Sequence, residues 1–124
     1  MPRIFLAIGA LYGLFGVLLG AFGAHALKER LAPDLLAVWR TAVEYQFYHA
    51  LALMLLALLL RDAANGLMQA GGWCFAAGVL VFSGSLYALA LTGVRMLGAV
   101  TPVGGLLFIA GWICLLLGAL KDRG

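Results

Sequence analysis

Residues 4–24 read IFLAIGALYGLFGVLLGAFGA, an apolar run of 21 positions with no charge in it. As a helix rising 1.5 Å per residue it is about 31 Å long, enough to cross roughly 30 Å of hydrocarbon. Ala24-His25-Ala26 imitates the small-x-small site of a signal peptide. The apolar core of such a peptide is only about 7–15 residues long. The run is therefore read as a retained membrane span.

Three more runs follow from the same reasoning. Span two lies within residues 41–60, span three within 71–91 and span four within 102–120. Strands of a membrane barrel would alternate apolar with polar residues, and these runs do not. The expected fold is a single transmembrane domain over residues 1–124, an all-α integral membrane four-helix bundle.

Composition agrees. Hydrophobic residues make up 65% of the 124 and charged residues 10%, against about 45–50% and 25% in soluble domains. A soluble chain this small has no interior to hold so much apolar surface, whereas a bilayer does. The net charge is +3 and the pI about 9.2. The eight basic residues are scattered, which argues against a nucleic-acid partner. Cys74 and Cys114 each lie inside an apolar run, as packed reduced thiols do.

The only sizeable polar connection is residues 25–40, placed in the membrane interface. Pro33 and Asp34 suit a helix start, so helix two is expected from Asp34 to Leu60, with Trp39 as interfacial anchor. Asn65-Gly66 reads as a turn, and Thr101-Pro102 as a cap followed by a first helical position.

Glycines recur at Gly9, Gly13, Gly16, Gly20 and Gly23, within about 40° of one line down span one. Span four carries Gly104, Gly111 and Gly118, seven apart, and span three offers Gly84, Ser85 and Ala88. Such stripes let helix backbones approach in lipid, so close packing is preferred over a pore lining or a hinge. They do not say whether the partner helix belongs to the same chain.

The chemistry-bearing stretch is Arg40 to His49. Arg40, Glu44 and Tyr48 share one helix face, Tyr45 and His49 another, and Gln46 pairs with His49 at a spacing of three. Ionisable groups in a span normally have partners. Glu44 is expected to pair with Arg40, His25, His49 or Arg95. Three readings stay open. The first is a structural cluster tying helix ends together. The second is a proton or substrate site using Glu44 and His49. The third is a metal site of His25, Glu44 and His49, disfavoured because a spacing of five splits the two span-two ligands around the helix. No nucleophile elbow, phosphate loop or zincin motif is present, so no enzyme, cofactor or resident metal is expected.

Several segments together resemble the transmembrane protein 256 family, also the domain-of-unknown-function 423 family. They are residues 20–27 (GAFGAHAL), 39–51 (WRTAVEYQFYHAL), 82–87 (FSGSLY) and 97–105 (LGAVTPVGG), with Gly111-Trp112. The resemblance covers nearly the whole chain. It implies a small inner-membrane protein of four helices and supplies no catalytic residues.

The expected function is therefore a non-enzymatic membrane component packing against itself or another membrane protein. The alternative is a small oligomeric transporter. For orientation, Arg3, Arg61, Lys121 and Arg123 fall on the side of the termini, and Lys28, Arg30, Arg40 and Arg95 on the other. This tie under the positive-inside rule is broken towards cytoplasmic termini if Glu44 engages Arg40 and the apolar connection tucks Arg95 away. It also leaves room for insertion in both directions.

Overall fold

The computed structural model describes residues 2–121. Its helices are α1 (Pro2–His25), α2 (Pro33–Leu59), α3 (Gly66–Thr92) and α4 (Thr101–Lys121), with one short 3₁₀ segment at Arg95–Ala99. No strand occurs among the described residues. All four helices are long and apolar enough to cross a membrane. At 27 residues each, α2 and α3 measure about 40 Å, so their ends extend beyond the hydrocarbon.

Local chemistry sets the ends. Pro33 starts α2, where its missing N–H costs nothing and its φ is already helical. Asn65 caps α3 by accepting from the Met68 N–H at 3.1 Å. Its amide also donates to the Gly118 carbonyl at 3.0 Å. The Asn-Gly pair expected as a turn is thus a cap that also ties α3 to α4. Gly93 closes α3 at φ +72°, a left-handed conformation that glycine adopts without a Cβ clash. Thr101 is the first residue of α4, and its hydroxyl lies 2.6 Å from Ser85 Oγ on α3.

Consecutive helices pack against each other: α1 on α2, α2 on α3, α3 on α4. The inner pair, α2 and α3, is the more buried, and α1 and α4 lie outside. Each outer helix uses glycines at a spacing of seven to receive large side chains of its inner neighbour. On α4, Gly118, Gly111 and Gly104 lie under Met68, Phe75 and Phe82 of α3. On α1, Gly9, Gly16 and Gly23 lie under Met54, Phe47 and Trp39 of α2. Every step along one helix meets an equal or nearly equal step the other way along its antiparallel neighbour. Lipid tails are as apolar as leucine, so this close fit, rather than a hydrophobic drive, holds the pairs together.

The glycine stripe of α1 is not uniform. A Cβ at Gly13 would meet nothing within 4 Å, and one at Gly20 would make only ordinary contact with Val43. Gly84 on α3 is likewise open, while Ser85 is buried. Cys74 and Cys114 are reduced and only half-buried, less enclosed than the sequence suggests.

Candidate functional site

The polar residues of the central layer converge on α2. Gln46 is the middle residue of that helix and is buried. Its amide nitrogen donates to the Tyr12 carbonyl at 2.8 Å, and its amide oxygen accepts from the Tyr87 hydroxyl at 2.6 Å. The Tyr12 hydroxyl donates to the Ala76 carbonyl at 2.7 Å. One turn before Gln46, the Ala42 carbonyl accepts from Ser83 at 2.7 Å. These bonds join α1, α2 and α3, and Tyr12, Gln46, Ser83 and Tyr87 also line an open groove of about 200 Å³.

His49, one turn further along, is also buried. Its ring stacks on Phe108 at a centroid separation of 3.7 Å and an angle of 5°. Trp112 Nε1–H donates to Nε2 at 3.0 Å, and Nδ1 lies 2.8 Å from the Tyr45 carbonyl. A nitrogen that accepts from an indole carries no proton, so the proton sits on Nδ1 and donates to the carbonyl. Both ring nitrogens are occupied in a neutral ring enclosed by Phe75, Phe108 and Trp112. Among the described residues no buried side-chain nitrogen or oxygen lacks a hydrogen bond.

The charged residues behave differently. Arg40 and Glu44 are exposed and line an open groove of about 360 Å³ between α1 and α2, with Gly20, Gly23, Ala24 and Val43. The expected partners of Glu44 do not reach it: no ion pair links it to Arg40, His25, His49 or Arg95, and the one ion pair among the described residues is Arg95–Asp34. Arg40 precedes Glu44, the weaker order for a pair four apart on a helix. His25 is exposed at the end of α1 and Tyr48 is exposed on α2.

Arg95 is not tucked away either. It donates to Asp34 at 2.8 Å, with the two side chains 71% and 57% exposed, so the contact contributes little to stability. The Arg95 hydrogen bond holds the Asp34 carboxyl, in the interfacial first turn of α2, below its usual range. Its modest contribution is present above the ordinary carboxylate pKa and fades as pH falls through the lowered value.

The stretch singled out in the sequence therefore splits in two. Gln46 and His49 turn inward, while Arg40, Glu44 and Tyr48 face out. His49 and Glu44 lie on different faces of α2, one buried and one exposed. No three His, Cys, Asp or Glu residues converge among the described residues, which removes the geometry behind the His25–Glu44–His49 metal reading. Sequence reasoning missed Tyr12, Ser83, Tyr87 and Trp112. Their signal was a polar group well inside an apolar run, but tyrosine and tryptophan are ordinarily assigned to the interface belt.

A family model described as protein of unknown function (DUF423) matches residues 19–105. UPF0382 membrane protein SH2409 of Staphylococcus haemolyticus is 46% identical over 122 residues, covering 98% of this chain and 99% of its own. UPF0382 membrane protein YwdK of Bacillus subtilis is 44% identical over 121 residues, covering 96% and 98%. No solved structure matches the chain.

Proposed function

The chain belongs to the protein family of unknown function DUF423, whose relatives above are named only as membrane proteins, and we propose that it is a non-enzymatic structural component of the bacterial inner membrane. In this reading it is a rigid bundle that assembles with itself or with another membrane protein. The observation that carries it is the hydrogen-bonded central layer. Gln46, His49, Ser83 and Tyr87 bond within the chain, so these groups lock helices rather than meet a substrate. An ionisable residue of a transport path faces the bundle interior or a water-filled cavity, and His49 has both ring nitrogens already bonded within the chain.

One observation favours the transporter as second reading: Glu44 faces an open groove and has no ionic partner among the described residues. Flux separates the two. Liposomes holding the protein and a pH-sensitive dye are expected to dissipate an imposed pH gradient no faster than empty ones. Faster dissipation, abolished by Glu44→Gln, overturns the structural reading.

Cytoplasmic termini are part of this proposal. The Lys and Arg count is even across the membrane, and neither contact expected to break the tie forms: Glu44 makes no ion pair with Arg40, and Arg95 is exposed. C-terminal reporter fusions are expected to be active only for a cytoplasmic reporter. Activity only outside reverses the orientation, and activity on both sides replaces it with dual insertion.

A further inference from the structure

The groove beside Arg40 and Glu44 sits at a depth where exposed, unpaired charges are costly. Glu44 lies 11 residues into α2, about 16 Å from its start. With the first turns of α2 in the interface, the carboxylate lies inside the edge of the hydrocarbon. An ionised residue there ordinarily finds a partner within the bundle. Among the described residues no ion pair reaches either Arg40 or Glu44.

The two residues carry opposite charges one helical turn apart, and both line the same groove. Such a patch is self-complementary. A two-fold axis along the membrane normal places the same patch of a second copy opposite, at equal depth. Each arginine then needs to reach about 6 Å along the axis to meet the other glutamate, within the span of its flexible stem. Two reciprocal pairs form, as an isologous interface requires. The wall facing them from α1 includes Gly20 and Ala24, small residues that permit close approach of an added helix, while Gly23 is covered by Trp39. Trp39 is fixed beneath by its hydrogen bond to the Leu19 carbonyl at 2.9 Å, so the wall is already rigid.

We infer that the α1–α2 groove is a dimer interface occupied by a second copy of this chain in the same orientation, held by reciprocal Arg40–Glu44 pairs. The inference rests on the assembly reading above and specifies its partner and surface. A lipid headgroup is the less fitting occupant. Its phosphate lies deeper than its amine, whereas Arg40 is nearer the surface than Glu44.

Charge exchange in trans tests the interface. Full-length copies carrying donor or acceptor fluorescent proteins are reconstituted in liposomes of phosphatidylethanolamine and phosphatidylglycerol. The wild type is expected to show energy transfer that depends on protein density in the bilayer. Arg40→Glu alone and Glu44→Arg alone each oppose like charges across the axis and are expected to weaken association about tenfold. Mixing the two variants restores both pairs, because one copy is then acidic at both positions and the other basic. The double variant Arg40→Gln/Glu44→Gln, which introduces no repulsion within a chain, is expected to weaken association and not to be rescued by either single variant. Wild-type association unaffected by any of these changes places the interface elsewhere, overturning this inference and leaving the assembly reading intact. That result is also expected if the copies insert antiparallel, which puts the patches on opposite sides of the bilayer. Loss of association in the single variants without recovery on mixing also overturns it and marks a lipid-mediated contact. A wild type monomeric at every density overturns this inference together with self-assembly.

Discussion

Gly104→Leu is expected to prevent the bundle from folding, or to lower its apparent melting temperature in detergent by roughly 10 °C or more. A Cβ at this position would clash with the Phe82 backbone nitrogen and lie 2.7 Å from its Cα. A clash with a flexible side chain is relieved by a rotamer change, but a clash with backbone requires the helices to separate. Overpacking in a close-packed core costs about 1–3 kcal/mol, and more where backbone must move. The internal control is Gly105→Leu, next in sequence, where a Cβ would meet nothing within 4 Å. Both variants lose the same glycine flexibility and gain the same side chain, so their difference isolates the packing. Equal stability of the two in a detergent melt would remove the α3–α4 glycine contact from the account of the fold.

That pair of neighbours also marks where sequence reading stops. The four spans were legible because lipid imposes one requirement, about 20 apolar residues per crossing, and each run meets it. The spacing of seven at Gly104, Gly111 and Gly118 was legible too. What it did not reveal was the partner, since a glycine stripe is defined by what it receives. Met68, Phe75 and Phe82 repeat at the same spacing on α3, but large apolar residues are everywhere in a membrane chain and carry no signal alone. In α1 the stripe was read as one face of five glycines, whereas only Gly9, Gly16 and Gly23 lie directly under side chains of α2.

The polar segment failed for a related reason. Spacing places Arg40, Glu44 and Tyr48 on one face and His49 on another, but it does not say which face turns inward. An ionisable group in a span normally has a partner, and from that Glu44 is expected to pair with Arg40, His25, His49 or Arg95. The structure instead gives the interior to the uncharged donors and acceptors of Gln46 and His49. Neutral groups can be fully satisfied by backbone carbonyls and aromatic N–H or O–H groups without desolvating an ion. The charges are left on the outside, where a second molecule can meet them.

The second large effect belongs to His49. Two roles are separable at this residue: a ring that fills space against Phe108, and a pair of nitrogens that bond Trp112 and the Tyr45 carbonyl. His49→Ala removes both. It leaves a cavity between α2 and α4, where the ring now lies 3.7 Å from Phe108, and strands the Trp112 N–H. Together these cost about 2–4 kcal/mol by analogy with large-to-small core substitutions. His49→Phe keeps a ring of similar shape and, like alanine, leaves the Trp112 N–H without its nitrogen acceptor. Side-chain hydrogen bonds between membrane helices average about 0.6 kcal/mol, so the phenylalanine variant is expected to lie within about 1 kcal/mol of the wild type and well above the alanine variant. Unfolding in mixed micelles, followed by tryptophan fluorescence, gives the ranking because Trp112 reports directly on the contact. A phenylalanine variant as unstable as alanine would assign the role to the nitrogens. An alanine variant as stable as wild type would mean that the ring does not hold α4 in place. If the expected order holds, a vesicle assay on the phenylalanine variant completes the separation, because a packed ring can lose its titratable nitrogens without changing flux, whereas a proton relay cannot.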